Sequence, residues 1–231
     1  MIVLGVDSSA TAASAAIVKD GKLVSEVFSD TGLTHSQTLL PMIKTCLDNA
    51  GLSIDNIDLI AVANGPGSFT GVRIGIATVK GIAFTNNIPC AEVSTLESMA
   101  YNVSDFDGII CSAMDARCNQ VYTAFFENHS CCKVNRLSDD TAMSIDELGK
   151  KIKETEKNVI FVGDGAEICY NKLNSIIDNI SIVPQNIRKQ RASGVAMCSL
   201  EKQAKKAEDI TVNYIRLPQA QRELVKKQQS K

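Results

Sequence analysis

Three short apolar runs separated by turns open the chain, and they constrain its fold more than anything that follows. Ile2–Asp7 is apolar until it ends in a carboxylate. Ser14–Val18 is apolar and β-branched towards its end, and Lys22–Phe28 alternates polar and apolar residues. Each has the length and pattern of a strand. The separators are Ser8-Ser9-Ala10-Thr11 and Lys19-Asp20-Gly21, the second with Asp-Gly in the place a tight hairpin favours. Strand–turn–strand–turn–strand at this spacing predicts an antiparallel meander.

Helical and strand patterns then alternate. Ser36 is a candidate cap for a helix that runs to Ala50 and stops at Gly51. Leu39, Leu40, Ile43, Cys46, Leu47 and Ala50 share one face of it, and Pro41 falls in its first turns. Leu59–Ala63 reads as a buried strand. A loop, Asn64-Gly65-Pro66-Gly67-Ser68-Phe69-Thr70-Gly71, leads into a helix to about Phe84, and a strand near Cys90–Val93 and a helix from Ser94 follow. Further on, Gly108–Met114, Gln120–Phe126 and Asn158–Val162 read as strands. Ser144 with Glu147 forms a capping-box signature for a helix to Glu154. Another helix follows Gly163-Asp164-Gly165, Arg191–Ala207 reads as helical, and Thr211–Leu217 as extended. The pattern is α/β in two lobes, 1–105 and 106–231, with a polar and mobile tail after Pro218.

Bulk properties narrow the function. The net charge is −2, whereas a chain that grips nucleic acid unaided is usually strongly basic. No apolar run approaches the ~18 residues of a membrane span, and the N-terminus reads as a strand, which points to the cytoplasm. None of the eight cysteines sits in a C-x-x-C pair, and His35 and His129 stand alone, so no cysteine-based metal site is expected.

Two motifs admit both a functional and a structural reading. Asp7-Ser8-Ser9 at a strand end suits a nucleotide's phosphates or their magnesium, and equally a turn that bonds its own backbone. In Gly65-Pro66-Gly67-Ser68-Phe69-Thr70-Gly71, glycines ahead of a helix N-terminus suit an anion; a sharp strand-to-helix turn needs them as much. The loop is neither a Walker A loop nor G-x-G-x-x-G. Gly71, Gly75, Ala77 and Gly81 recur at helical spacing in the following helix. Mid-helix glycine costs about 1 kcal/mol against alanine, and close helix–helix approach is one compensation.

In combination, Thr34-His35-Ser36 with Leu39-Leu40-Pro41 and Ile43, the loop from Gly65 through Gly75, and Tyr214-Ile215-Arg216-Leu217-Pro218 resemble the TsaB (YeaZ) family. The likeness is strong over residues 1–103 and looser beyond. It implies an actin-like ATPase fold (actin, sugar kinase, Hsp70; ribonuclease H-like) of two lobes. It also implies a part in forming threonylcarbamoyladenosine at position 37 of tRNAs that read codons starting with A. The implied role is that of a non-catalytic scaffold that pairs with the catalytic paralogue TsaD and recruits the small ATPase TsaE. On this reading the chain is a homodimer when alone and meets tRNA only within the complex. Where TsaD-like chains carry two metal-binding histidines one helical turn apart, this chain has Thr95 and Met99, so no metal and no catalytic residue is expected. Asp7, Ser8, Ser9, Gly163 and Gly165 are the candidate nucleotide contacts. No cofactor is required, and ATP or ADP binding is left open. The expected pairing surface is Leu39, Leu40, Ile43, Ile74, Gly75, Ala77, Thr78, Gly81 and Ile82. A small-molecule kinase of the same fold would need a catalytic Asp and a complete second-lobe nucleotide loop. A metallopeptidase would need ligands where Thr95 and Met99 stand.

Overall fold

A computed structural model describes residues 1–103, 106–130 and 133–216. The meander forms as expected: β1 (Ile2–Asp7), β2 (Ala13–Lys19) and β3 (Lys22–Ser29) pair antiparallel in sequence. Asp20 and Gly21 both have positive φ, 50° and 73°, as a type I′ hairpin turn requires. Helix α1 (His35–Ala50) ends on Gly51 in the left-handed conformation. Its N-cap is Thr34, so the expected cap Ser36 lies inside the first turn. Strand β4 (Leu59–Gly65) adds parallel to β1, helix α2 (Phe69–Asn86) follows the glycine loop, and β5 (Cys90–Ser94) adds parallel to β4. The sheet order is β3-β2-β1-β4-β5. Helix α3 (Thr95–Ala100) leads out of the lobe.

The second sheet contains β6 (Ile109–Asp115), β7 (Gln120–Ser130), β8 (Lys133–Arg136) and β9 (Thr141–Ser144). After helix α4 (Ile145–Thr155) come β10 (Val159–Val162), helix α5 (Ala166–Leu173) and β11 (Ile180–Ile182). Its order is β11-β10-β6-β7-β8, with β9 also on β7. The capping box forms: Ser144 Oγ accepts from Glu147 N–H at 3.2 Å, and Glu147 accepts from Ser144 N–H at 2.9 Å. Ser144→Ala is expected to lower stability by about 1 kcal/mol; the shift of a urea denaturation midpoint reads it.

Two helices depart from the expected division at residue 105. After α6 (Gln185–Arg188), helix α7 (Ala192–Ser199) returns to the first sheet, where Val195, Ala196 and Cys198 cluster with Val3, Val18, Ala61 and Val93. In exchange, Leu96, Met99 and Ala100 of α3 pack on the second sheet with Ile110, Met114 and Phe126. The two helices touch, with Gly194 of α7 against the carbonyl of Ser98. The molecule is thus layered: α1 and α2, first sheet, α7, α3, second sheet, α4 and α5. The first sheet's α7 face is lined with small residues because the helix lies so near. A side chain on Gly5 would meet the backbone of Ala192 and the Cβ of Ala196. Its other face buries Leu4, Val6, Ile17, Ile60 and Val62 under α1 and α2.

The helix expected over Arg191–Ala207 is only α7, and residues 211–216 form no strand. They are instead a strap across the end of β4, held by Asn213 N–H to Asn64 O (2.8 Å) and Asn64 Nδ2 to Thr211 O (3.3 Å). The tail expected to be mobile, with its basic residues, lies outside the described residues, as do Leu217, Pro218, Cys131 and Cys132. Among the described residues no helix is long and apolar enough to cross a membrane.

Candidate functional site

The sheets meet at a cleft of about 380 Å³, bounded by the ends of β1, β4, β6 and β10 and by the strap. Asp7 closes β1 and is 1% exposed. Its Oδ1 accepts from Ser9 N–H (2.8 Å) and Ser9 Oγ–H (2.7 Å); Oδ2 has no partner. Burial pushes this carboxyl up to about 6, against the pull of the two Ser9 bonds. Ser8 Oγ donates to Gly71 O at 2.9 Å, and Ser9 O accepts from Ser68 N–H at 2.6 Å. The turn after β1 is therefore bolted to the first turn of α2.

That bolt accounts for the glycines. A Cβ on Gly67 would fall on Ser9 O, and one on Gly71 on Ser8 O. On Gly75 it would lie 2.6 Å from Ser8 Oγ. Gly65, at φ 121°, faces the carbonyl of Asn213. Close backbone approach requires all four. All three of the expected trio are buried, and of them only Ser9 borders the cleft. The expected second-lobe pair is used up internally. Gly163 N–H donates to Arg188 O (2.7 Å) and Gly165 N–H to Ala113 O (3.0 Å), so neither offers a free N–H to a phosphate. Asp164, between them, is the residue that lines the cleft. Its carboxyl is pushed up by burial, while Gln190 Nε2 donates to it at 2.9 Å.

The cleft mouth carries side chains that motif reading did not place together. Phe69 and Tyr214 stack with centroids 5.5 Å apart. Arg73 lies over Phe69 at 3.7 Å, and its Nε donates to Tyr214 Oη at 2.6 Å. Arg216 lies over Tyr122 at 5.6 Å. Opposite, the β6–β7 turn holds Arg117, Cys118 and Asn119 all at positive φ (65°, 52° and 58°). Three consecutive left-handed residues without glycine cost about 1–2 kcal/mol each, and such strain concentrates at working sites. Arg117 N–H donates to Asp115 Oδ1 at 2.8 Å, which helps hold the turn.

The expected pairing surface divides. Leu39, Ile43 and Gly75 are buried within their own lobe, which removes them from any surface. Leu40, Ala77 and Gly81 are exposed, and Ile74, Thr78 and Ile82 are half-buried. Phe84, 75% exposed, continues the Ala77–Gly81 stripe one turn on. Its place one turn beyond Gly81 on α2 is the sequence signal for it. At the histidine-equivalent places, Thr95 and Met99 are wholly buried in α3. Glu97 accepts from Arg136 (3.0 Å) and Lys202 (2.7 Å). Burial alone would raise its carboxyl, but those two partners together hold it below the usual range. His35 Nε2 donates to Ala10 O at 2.8 Å, a tie between α1 and the β1–β2 turn.

The family model for TsaD, tRNA N6-adenosine threonylcarbamoyltransferase, matches residues 29–229. The tRNA threonylcarbamoyladenosine biosynthesis protein TsaB of Bacillus subtilis is 28% identical over 99% of this chain and 100% of its own length. TsaB of Escherichia coli is 38% identical over 55% of each chain. A Pseudomonas aeruginosa structure described as an uncharacterized protein with similarity to peptidase YEAZ superposes with a TM-score of 0.79 at 23% identity. It covers 93% of this chain and 99% of that one, and shows the fold.

Proposed function

Because this chain belongs to the TsaB/YeaZ family, within the wider threonylcarbamoyltransferase family and of actin-like fold, we propose that it serves tRNA threonylcarbamoyladenosine formation as a non-catalytic cytoplasmic subunit that pairs with a TsaD-type chain. The observation that carries the pairing is the exposed stripe on α2, Ala77, Gly81 and Phe84, with Leu40 exposed on the neighbouring α1. Small residues let a partner helix approach closely, and burying Phe84 is worth about 1.5–3 kcal/mol. A free copy would cover the same stripe with a second copy, so the partner and the homodimer compete. Recruitment of a TsaE-type ATPase then falls to the paired complex, and net charge −2 leaves tRNA to be gripped chiefly there. Thr95 and Met99 supply no metal ligands, and the N–H groups of Gly163 and Gly165 are taken. The reading therefore requires no metal or nucleotide of this chain.

Light scattering and co-purification test it. The wild type should scatter as a two-chain particle and exchange its copy for a TsaD-type partner. Thr78→Arg and Gly81→Arg should each run near the single-chain mass of 24.9 kDa, fold normally and fail to retain the partner. Phe84→Ala should weaken pairing about 30-fold or more. Unchanged pairing in all three variants would move the interface elsewhere.

A further inference from the structure

Acidic and basic groups around the interlobe cleft are separated by position. Asp115 and Asp164 are half-buried in its wall. The guanidiniums stand further out: Arg73 is exposed, the Arg117 side chain is 85% exposed, and Arg216 overlies Tyr122. Among the described residues Arg73 and Arg216 form no ion pair, and Arg117 meets only Asp115, at 3.5 Å. Beside them Phe69 and Tyr214 stack on one another with Arg73 over Phe69, the two residues being 37% and 42% exposed. Rings flanked by arginines are how proteins hold unpaired bases and the phosphates attached to them.

We propose that the cleft receives one unpaired nucleotide of an RNA strand. The base lies against Tyr122 and Tyr214 with its N–H groups towards Asp115 and Asp164, and the adjoining phosphates meet Arg117 and Arg216 outside. The proposal rests on the tRNA-modification reading for the source of the strand. Charge placement favours a strand over a free triphosphate. A triphosphate lodged in the cleft would face the two carboxylates Asp115 and Asp164. A strand keeps its phosphates at the rim, where the arginines are. The volume, about 380 Å³, is at the small end for ligand sites and suits a single residue. The strained turn gains a purpose as well, since it presents Arg117 across from the strap.

Fluorescence anisotropy with a labelled anticodon stem-loop RNA tests this on the full chain, alone and with its TsaD-type partner. Arg117→Glu and Arg216→Glu should each weaken binding about tenfold or more, and Tyr214→Ala about five- to hundredfold. Arg216→Gln should lower the slope of log affinity against log salt by about 0.7. ATP and ADP titrated separately distinguish the sources. Saturable free-nucleotide binding that these variants abolish, with RNA binding untouched, overturns the strand. So does the absence of saturable RNA binding, or affinity and salt slope unchanged across the variants. RNA binding is read on the chain alone and in the complex, and partner retention separately by co-purification, so failure of the pairing reading shows in one assay and failure of this proposal in the other.

Discussion

Gly71→Ala is expected to destabilise the protein by about 4 kcal/mol or more, although alanine is the better helix former by about 1 kcal/mol. The added methyl would fall on the carbonyl of Ser8, a backbone atom that no rotamer change can move. Withdrawing α2 would break the bonds that bolt it to the turn after β1, from Ser8 Oγ to Gly71 O and from Ser68 N–H to Ser9 O. Gly81→Ala in the same helix is the control. A Cβ there meets nothing within 4 Å in the single chain, so at concentrations too low for pairing this variant should be stabilised by up to about 1 kcal/mol. Urea denaturation followed by circular dichroism measures both. Similar small effects from the two would mean that the turn after β1 gives way easily, and would return the glycine loop to an anion-binding explanation.

Asp7→Asn is expected to stabilise the protein at pH 8 by about 3 kcal/mol and to have little effect below about pH 4. The sign follows from proton binding. The folded carboxyl titrates at about 6 and the unfolded one near 3.8, so between those values the folded state holds the extra proton. Stability from this group is full below the unfolded value and falls as pH rises through the folded one. A rise from 3.8 to about 6 corresponds to a loss on the order of 3 kcal/mol. An amide keeps an oxygen for the two Ser9 bonds and replaces an oxygen that has no partner. Denaturation midpoints of both proteins from pH 3.5 to 8 trace the difference. A variant less stable than wild type at pH 8 would show that the carboxylate has a compensating partner.

Where local chemistry suffices, the sequence was legible. Asp20-Gly21 specifies its turn, Gly51 ends α1, and Ser144 with Glu147 begins α4. Short peripheral strands were not: Lys133–Arg136 and Thr141–Ser144 have no fully buried residue to mark an inner face, and exist because β7 is long enough to pair with both. At the site, apolar spacing could not distinguish a leucine facing its own sheet from one facing out. Leu39 and Leu40 are adjacent, yet one is 1% and the other 56% exposed. Gly163 and Gly165 looked like phosphate donors because their occupied N–H groups depend on Arg188 and Ala113, which only tertiary structure brings near. Likewise Tyr214 meets Phe69 and Arg73 across the cleft mouth from far along the chain.

The exchange of α3 and α7 bears on how the protein is made. Every strand of the first sheet has left the ribosome once Ser94 has emerged, yet the helix that covers one of its faces is encoded about a hundred residues later. At about 5–20 residues per second, the Val3, Val18, Ala61 and Val93 face waits roughly 5–20 s for its cover. Throughout that interval the nascent chain carries an apolar surface that a chaperone or a neighbouring copy can bind. Truncation anywhere before Ala192 would make the exposure permanent. The two lobes are therefore inseparable by expression: neither half, cut between the sheets, keeps the helix that covers its inner face.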